Sequence, residues 1–248
     1  MTIPAPIAPQ LSIVVPGYNE TSRLPKSIPG LIEYLDRAEF SAELILSDDG
    51  STDGTFALME EYAASRPYIK AVGYATNRGK GRAVANGVAA SSGMVVLISD
   101  ADFSTPIEEV FKVWAPVTAG AGVAIGSRAL SGEGIVHQPW YRTMMGRVFN
   151  LCVQVIILPG LWDTQCGFKL FRGDLARTIF AEMRSDGFAF DVEAIYLARR
   201  AGETVKEVPV KWVNDTASKV SPIKDSIKML VGIIKIRFGL LPIPPPVS

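Results

Sequence analysis

The feature that most constrains this chain is the alternation running through its first half. Five short, apolar runs rich in β-branched residues, at 11–15, 43–47, 69–74, 94–99 and 122–126, are separated by segments of helical period at about 24–38, 55–65, 80–91 and 106–118. Near-continuous Val, Ile and Leu is the pattern of strands buried on both faces. Strand–helix–strand units of about 30 residues build a mostly parallel sheet with helices on either side. The expected class is therefore α/β, with a Rossmann-like, mostly parallel central sheet flanked by helices. After about residue 128 the alternation loosens. Helices are predicted over 140–157, 173–182, 189–200 and 222–238, and a strand over 205–213, where Pro209 favours an edge or a bulge. No repeat or linker interrupts the chain, so one domain is expected over 1–248.

Open α/β sheets bind ligands beyond the carboxyl ends of their strands. The residues found there are 16–20 (PGYNE), 48–55 (DDGSTDGT), 76–81 (TNRGKG), 100–106 (DADFSTP) and Ser127-Arg128. Asp100 and Asp102 lie between a buried run and a helix start, for which Thr105 is the expected N-cap, Pro106 the first helical residue and Glu108 the partner closing a capping box. An Asp-x-Asp pair so placed can hold a hard divalent cation, Mg2+ or Mn2+, that bridges a diphosphate and neutralises it as it departs. In 48–55, Gly50 permits a sharp turn and Thr52 or Asp53 can cap the next helix. Capping does not account for two consecutive carboxylates ahead of that turn, and Asp49 is the better placed to accept hydrogen bonds from a base or ribose. The 76–81 loop matches neither a dinucleotide fingerprint nor a Walker loop. It sets Arg78 and Lys80 beside glycines whose N–H groups can approach an anion. Arg128, Arg142 and Arg147 are candidates for a second anion. Asp163 with Gln165, and Asp191 with Glu193, are candidates for contact with a sugar, although a carboxylate also suits a helix start. Cys166 beside Gly167 reads as a small packing residue, and His137, the single histidine, as loop structure.

Charge and composition narrow the partners. Lysine plus arginine equals aspartate plus glutamate at 25 each, so the chain lacks the basic excess that nucleic-acid binders need, and no nucleic-acid partner is expected. Cys152 and Cys166 form neither a disulfide framework nor a metal motif, which fits a reducing compartment. The N-terminus has no signal-peptide pattern, and no run reaches the roughly 18–20 apolar residues that span a bilayer. The expected location is cytoplasmic. The 227–241 segment mixes apolar residues with lysine and arginine, as a helix in peripheral contact with the cytoplasmic face of a membrane does; core packing explains it equally.

Together the strings resemble a family, the inverting glycosyltransferases of GT-A fold (glycosyltransferase family 2) that use a polyprenyl phosphate acceptor. The resemblance covers about residues 11–238. Its first four motifs suit the wider superfamily. The 163–171 (DTQCGFKLF) and 190–193 (FDVE) strings, with a late segment around Ser218-Lys219, narrow it and lean toward the dolichyl-phosphate β-glucosyltransferases, next to their mannosyl relatives. The resemblance implies a GT-A fold, with about 11–127 as the nucleotide-sugar and metal half and about 128–238 as the acceptor and lid half. It implies UDP-glucose as donor and a polyprenyl phosphate lipid as acceptor. Pro16, Tyr18 and Glu20 would line the nucleotide pocket, with Asp49 near uracil or ribose and Arg78 and Lys80 near base or phosphates. Asp100 and Asp102 would be the donor and metal aspartates, Arg128 would lie on the acceptor side and Asp191 near the sugar. Two departures stand out: the eukaryotic glucosyltransferases carry an N-terminal membrane span not seen here, and Ser104 replaces a glutamine usual in the mannosyl branch.

Other readings differ in what they need. A same-fold enzyme acting on a sugar hydroxyl needs a carboxylate base, whereas a phosphate acceptor is already ionised at neutral pH. A nucleotidyltransferase favours a glycine-rich basic loop where PGYNE stands, and a nucleotide-binding module needs no chemistry at all. The missing G-x-G-x-x-G after strand one argues strongly against a Rossmann oxidoreductase.

Overall fold

The structure, a computed structural model, describes residues 8–131, 140–213 and 222–241. Its elements are β1 (Leu11–Gly17), α1 (Leu24–Asp36), β2 (Ala42–Asp48), α2 (Thr55–Ser65), β3 (Ile69–Gly73), α3 (Lys80–Ala89), β4 (Val95–Ile98), α4 (Val110–Thr118) and β5 (Val123–Ser127), followed by α5 (Trp140–Ile156), β6 (Lys169–Arg172), α6 (Gly173–Glu182), α7 (Phe190–Arg200), β7 (Val205–Pro209) and α8 (Pro222–Arg237). The seven strands form one sheet in the order β3-β2-β1-β4-β6-β5-β7.

Side-chain alternation along the strands divides the core in two. Val14, Ile45, Val96 and Ile98 face a layer with α3, α5, α6, α7 and α8. Ile13, Val15, Leu44, Leu46 and Leu97 face α1, α2 and α4. Because successive residues point to opposite faces, strands clothed on both sides must be apolar throughout, which is why the runs read as continuous. Among the described residues, no helix is long and apolar enough to cross a membrane.

The sheet is mostly parallel, as expected, with one strand added and two expectations corrected. First, β6 is antiparallel to both β4 and β5 and lies between them. It was hidden inside a string read as sugar-binding, and with four residues it shows no periodicity of its own. Its position keeps β4 and β5 parallel to each other, so their carboxyl ends stay at one edge, while β6 begins at that same edge: Lys169 pairs with Ile98 and with Ile125. Second, no capping box forms at Thr105. A 3-10 turn, Ile107–Glu109, precedes α4, and neither start has a side-chain cap. Pro106 holds an extended ψ of 144°, so the helical path begins one residue later than a Thr105 cap requires. Third, the last strand stops at Pro209 rather than 213, and Pro209 closes the edge strand β7 beside β5.

The opposite, amino-terminal edge is tied by one carboxylate. Glu43 accepts hydrogen bonds from Ser12 Oγ (2.6 Å), Ser92 N (2.6 Å) and Lys70 Nζ (2.7 Å), and Ser12 Oγ accepts from Gly93 N at 2.8 Å. Burial alone pushes the Glu43 carboxyl upward, but Lys70, Ser12 and Ser92 together hold it below its ordinary 4.5. A carboxyl depressed by folding stabilises the fold above its unfolded pKa and loses that contribution as pH falls through the folded value. Glu43→Gln is expected to cost about 1.5–3 kcal/mol at neutral pH. In urea titrations across pH, the gap to the parent should shrink below 4.5.

Candidate active site

The carboxyl edge of the sheet gathers alternating charges. Lys80 Nζ, at the start of α3, contacts Asp100 Oδ1 at 2.5 Å. Both side chains are partly exposed, 27% and 36%, so this pair faces an opening. Lys169, on β6, is ion-paired with Asp191 in the first turn of α7, and both are buried. Arg128, just after β5, binds Asp163 bidentately, Nε to Oδ2 at 2.7 Å and Nη2 to Oδ1 at 2.8 Å, and its backbone N–H donates to Oδ2 at 2.8 Å. The Trp212 ring lies 5.5 Å from the Arg128 guanidinium carbon.

These contacts set the protonation states. Burial raises the Asp100 carboxyl, but Lys80, Lys169 and Arg128 outweigh it and hold the group below the usual range. Burial lowers the Lys80 ammonium, and Asp100, Asp191 and Asp102 more than restore it. Asp163 is held low by Arg128 against its burial. For Asp191, burial pushes upward, Lys169 and Lys80 pull down, and the net direction is up. Asp102 accepts one hydrogen bond, from Ser104 N to Oδ1 at 3.0 Å; its other oxygen has no partner among the described residues.

Gly167 explains why Asp100 sits where it does. A Cβ on residue 167 would stand 2.0 Å from Asp100 Oδ2 and 2.3 Å from its Cγ. The carboxylate is packed directly on the glycine backbone, a requirement of the Cys166-Gly167 dipeptide that sequence inspection missed. Lys169 was missed as well. Its one signal is a lysine set among Phe168, Leu170 and Phe171, where a solvated charge has no place.

Asp49 is buried, and both its oxygens are engaged. Oδ1 accepts from Tyr74 Oη (2.6 Å), Arg78 N (3.0 Å) and Gly79 N (3.0 Å), and Oδ2 from Asn77 Nδ2 (2.9 Å) and Gly79 N (3.0 Å). The expectation of a carboxylate open to base or ribose thus meets one already saturated from within. The anion that the 76–81 glycine loop approaches is Asp49 itself. The turn before α2 is pressed on this loop: Gly50 has φ +71°, and a Cβ there would meet Asn77 N at 2.5 Å. Gly81 N and Arg82 N donate onward to Asp186 O at 2.8 and 3.3 Å, so these two amides in the first turn of α3 are committed to protein.

The remaining candidates separate. Tyr18 is 41% exposed, whereas Pro16 and Glu20 are buried. Arg78 stacks near Tyr74, 5.9 Å from the ring centroid. Asp48 accepts from Ser51 N and Oγ and shapes the turn. Asp53 accepts from Thr55 N and Oγ1 and from Thr21 Oγ1; its burial effect is overcome and its carboxyl sits at about 2, in keeping with a helix-start role. Glu193 accepts from the amides of Arg184 (3.0 Å) and Ser185 (2.7 Å) and holds the loop ahead of α7. His137, Asn214–Lys219 and the side chains of Arg142 and Arg147 lie outside the described residues.

Comparison with known proteins agrees with this architecture. A family model described as Glycosyl transferase family 2 matches residues 12–180. The dolichyl-phosphate beta-glucosyltransferase of Dictyostelium discoideum is 36% identical over 244 residues, covering 93% of this chain and 75% of the relative. That of Homo sapiens is 34% identical over 248 residues, 94% and 76% of the two chains. Among solved structures, glucosyl-3-phosphoglycerate synthase from Mycobacterium tuberculosis in complex with Mn2+, UDP-glucose and phosphoglyceric acid aligns with a TM-score of 0.66 at 19% identity, over 96% of this chain and 81% of that one. At that identity the likeness speaks for the fold.

The Asp49 arrangement generates its own test. Asp49→Ala removes a charged acceptor worth about 1.5–3 kcal/mol per hydrogen bond to it. Hydrogen exchange at the Arg78 and Gly79 amides should accelerate by at least about tenfold, while amides in β1 keep their protection. Unchanged exchange at both amides would show that the loop holds itself without Asp49.

Proposed function

The chain belongs to glycosyl transferase family 2, and on that premise we propose that it transfers glucose, with inversion, from UDP-glucose to a polyprenyl phosphate, giving polyprenyl phosphate β-glucose and UDP. The sugar and acceptor rest on similarity to the dolichyl-phosphate glucosyltransferases along more than nine-tenths of the chain. On this reading one domain does the work, 11–127 handling donor and metal and 128–238 the acceptor, at the cytoplasmic surface of a membrane.

The donor set suits a hard divalent ion. Asp100 is packed against Gly167 and Asp102 offers an oxygen with no protein partner among the described residues. Mg2+ and Mn2+ accept such a site, one or two carboxylates completed by substrate phosphates. Asp100 and Asp102 would hold the ion, which supplies neutralisation of the diphosphate when bound. The chain's own residues supply the rest. Lys80, kept charged beside Asp100, adds a cation near the departing diphosphate. Tyr18 offers an exposed ring for the nucleotide. Arg128, fixed by Asp163 and Trp212, presents positive charge on the acceptor side.

The geometric observation that carries the acceptor assignment is the engagement of every later carboxylate considered for the sugar. Asp163 is bound to Arg128, Asp191 to Lys169, and Glu193 to two backbone amides. A hydroxyl acceptor needs a base to take its proton. A phosphomonoester, with a second pKa of about 6, needs none, and orientation becomes the main task.

The test is purified protein with Mg2+ or Mn2+, a short polyprenyl phosphate in detergent, and UDP-glucose, GDP-mannose, UDP-galactose or UDP-N-acetylglucosamine in turn. Glycolipid is expected from UDP-glucose. Asp102→Ala should lower kcat/KM by about 10²–10³-fold or more. The double change Lys169→Met, Asp191→Asn removes the buried pair without stranding one charge and should cost far less. An equal loss in both variants would point to Asp191 as a base and to a hydroxyl acceptor. Product from GDP-mannose alone would move the chain to the mannosyl branch.

A further inference from the structure

One helix links the site to an exposed face. The inner side of α8 reaches both segments that build the carboxyl edge: Gln165 Nε2 lies 3.0 Å from Met229 Sδ, and a Cβ on Gly232 would stand 2.9 Å from the Ala189 side chain, two residues before Asp191. Ile233 and Ile236 are buried on that side. The outer side is apolar too, with Val231 46%, Ile234 40% and Phe238 68% exposed. The neighbouring α5, which packs on α8, exposes Met144, Val148, Leu151 and Val155 to between 52% and 79%. Their spacing of four, three and four residues puts them on a single stripe of that helix.

We propose that the outward face shared by α5 and α8 docks on an anionic lipid bilayer; this rests on the reading that the acceptor is a polyprenyl phosphate. Charge selects the occupant. Lys228, Lys235 and Arg237 of α8 are exposed beside the apolar residues. A groove of about 470 Å³ at the end of α8 adds Arg184 and Arg200 to Lys235, with Glu182 as its exposed carboxylate. Two copies of the chain meeting through this face would bring those cations together, at a cost. An anionic bilayer offers the opposite sign to the basic residues and an apolar boundary to the stripe, the pairing that holds interfacial helices. Docked in this way, the chain stands with α8 between the lipid and the Gln165 and Ala189 segments, a short path for a phosphate whose polyprenyl tail stays in the membrane.

Flotation with vesicles of phosphatidylcholine alone, or mixed with phosphatidylglycerol, tests the proposal, together with glucosyl transfer to a short, water-soluble polyprenyl phosphate. The parent is expected to float with the anionic vesicles. The double variant Val148→Glu, Leu151→Glu should partition about tenfold less or weaker still. Both changed positions are exposed, so circular dichroism and transfer to the soluble acceptor should match the parent. Failure of the parent to float, or undiminished flotation of a folded double variant, overturns the proposal. So does a dimer in analytical ultracentrifugation that the double variant dissociates, because the face then belongs to a second copy. Flotation that responds to the variant while no glucose reaches the soluble acceptor supports the docking face and instead refutes the proposed reaction.

Discussion

The carboxyl edge of the sheet depends on a rule of alternating charge. Asp100, Asp163 and Asp191 each have a cation in contact, Lys80, Arg128 and Lys169. Asp102 stands near the same group without a cation of its own among the described residues. Four carboxylates brought together from distant parts of a chain repel one another, and desolvation makes each costlier still. Three interleaved cations leave one negative charge in excess, at Asp102, one of the two aspartates proposed to hold the divalent ion. The buried Lys169–Asp191 pair adds little net stability, since desolvation of such pairs consumes most of their attraction. Its consequence is geometric: α7 is pinned to β6, and the Asp191 carboxyl is kept from acting freely.

Everything that meets at this edge is delivered by backbone connections. The parallel strands bring Asp100 and Arg128 to one side, and β6, running the other way, starts there instead of ending there. That reversal brings Lys169 and Gly167 against Asp100. On the opposite flank, Asp49 gathers the loop from Tyr74 to Gly79 around a single carboxylate, so that α3 begins with Lys80 aimed at Asp100. One anionic side chain thus aligns a cation for a second one, 20 residues away from it in sequence.

The same economy governs the helices of the second half. Because α8 is apolar on two sides, it cannot be only a core helix or only an interfacial one. Ile233 and Ile236 serve the core, while Val231, Ile234 and Phe238 remain in solvent. The mixed composition of the segment, which left core packing and surface contact equally open, follows from one helix burying Ile233 and Ile236 while leaving the apolar Val231 and Ile234 exposed.

The amino-acid order by itself determined the α/β class, the positions of the long helices and six of the seven strands, since continuous apolar runs, alternation and 3.6-residue periods are local properties that neighbouring residues impose. It also marked the strand ends where carboxylates and glycines gather, because such residues have no place in a core. Only the tertiary structure decided which charges meet. A four-residue antiparallel strand has no period to read, and an ion pair such as Lys169–Asp191 joins positions 22 residues apart with no local trace. Asp49 looked free because its five hydrogen bonds come from a loop 25–30 residues downstream. Such contacts depend on where strands are laid in the sheet, and that order is settled by the packing of whole elements rather than by any short stretch of sequence.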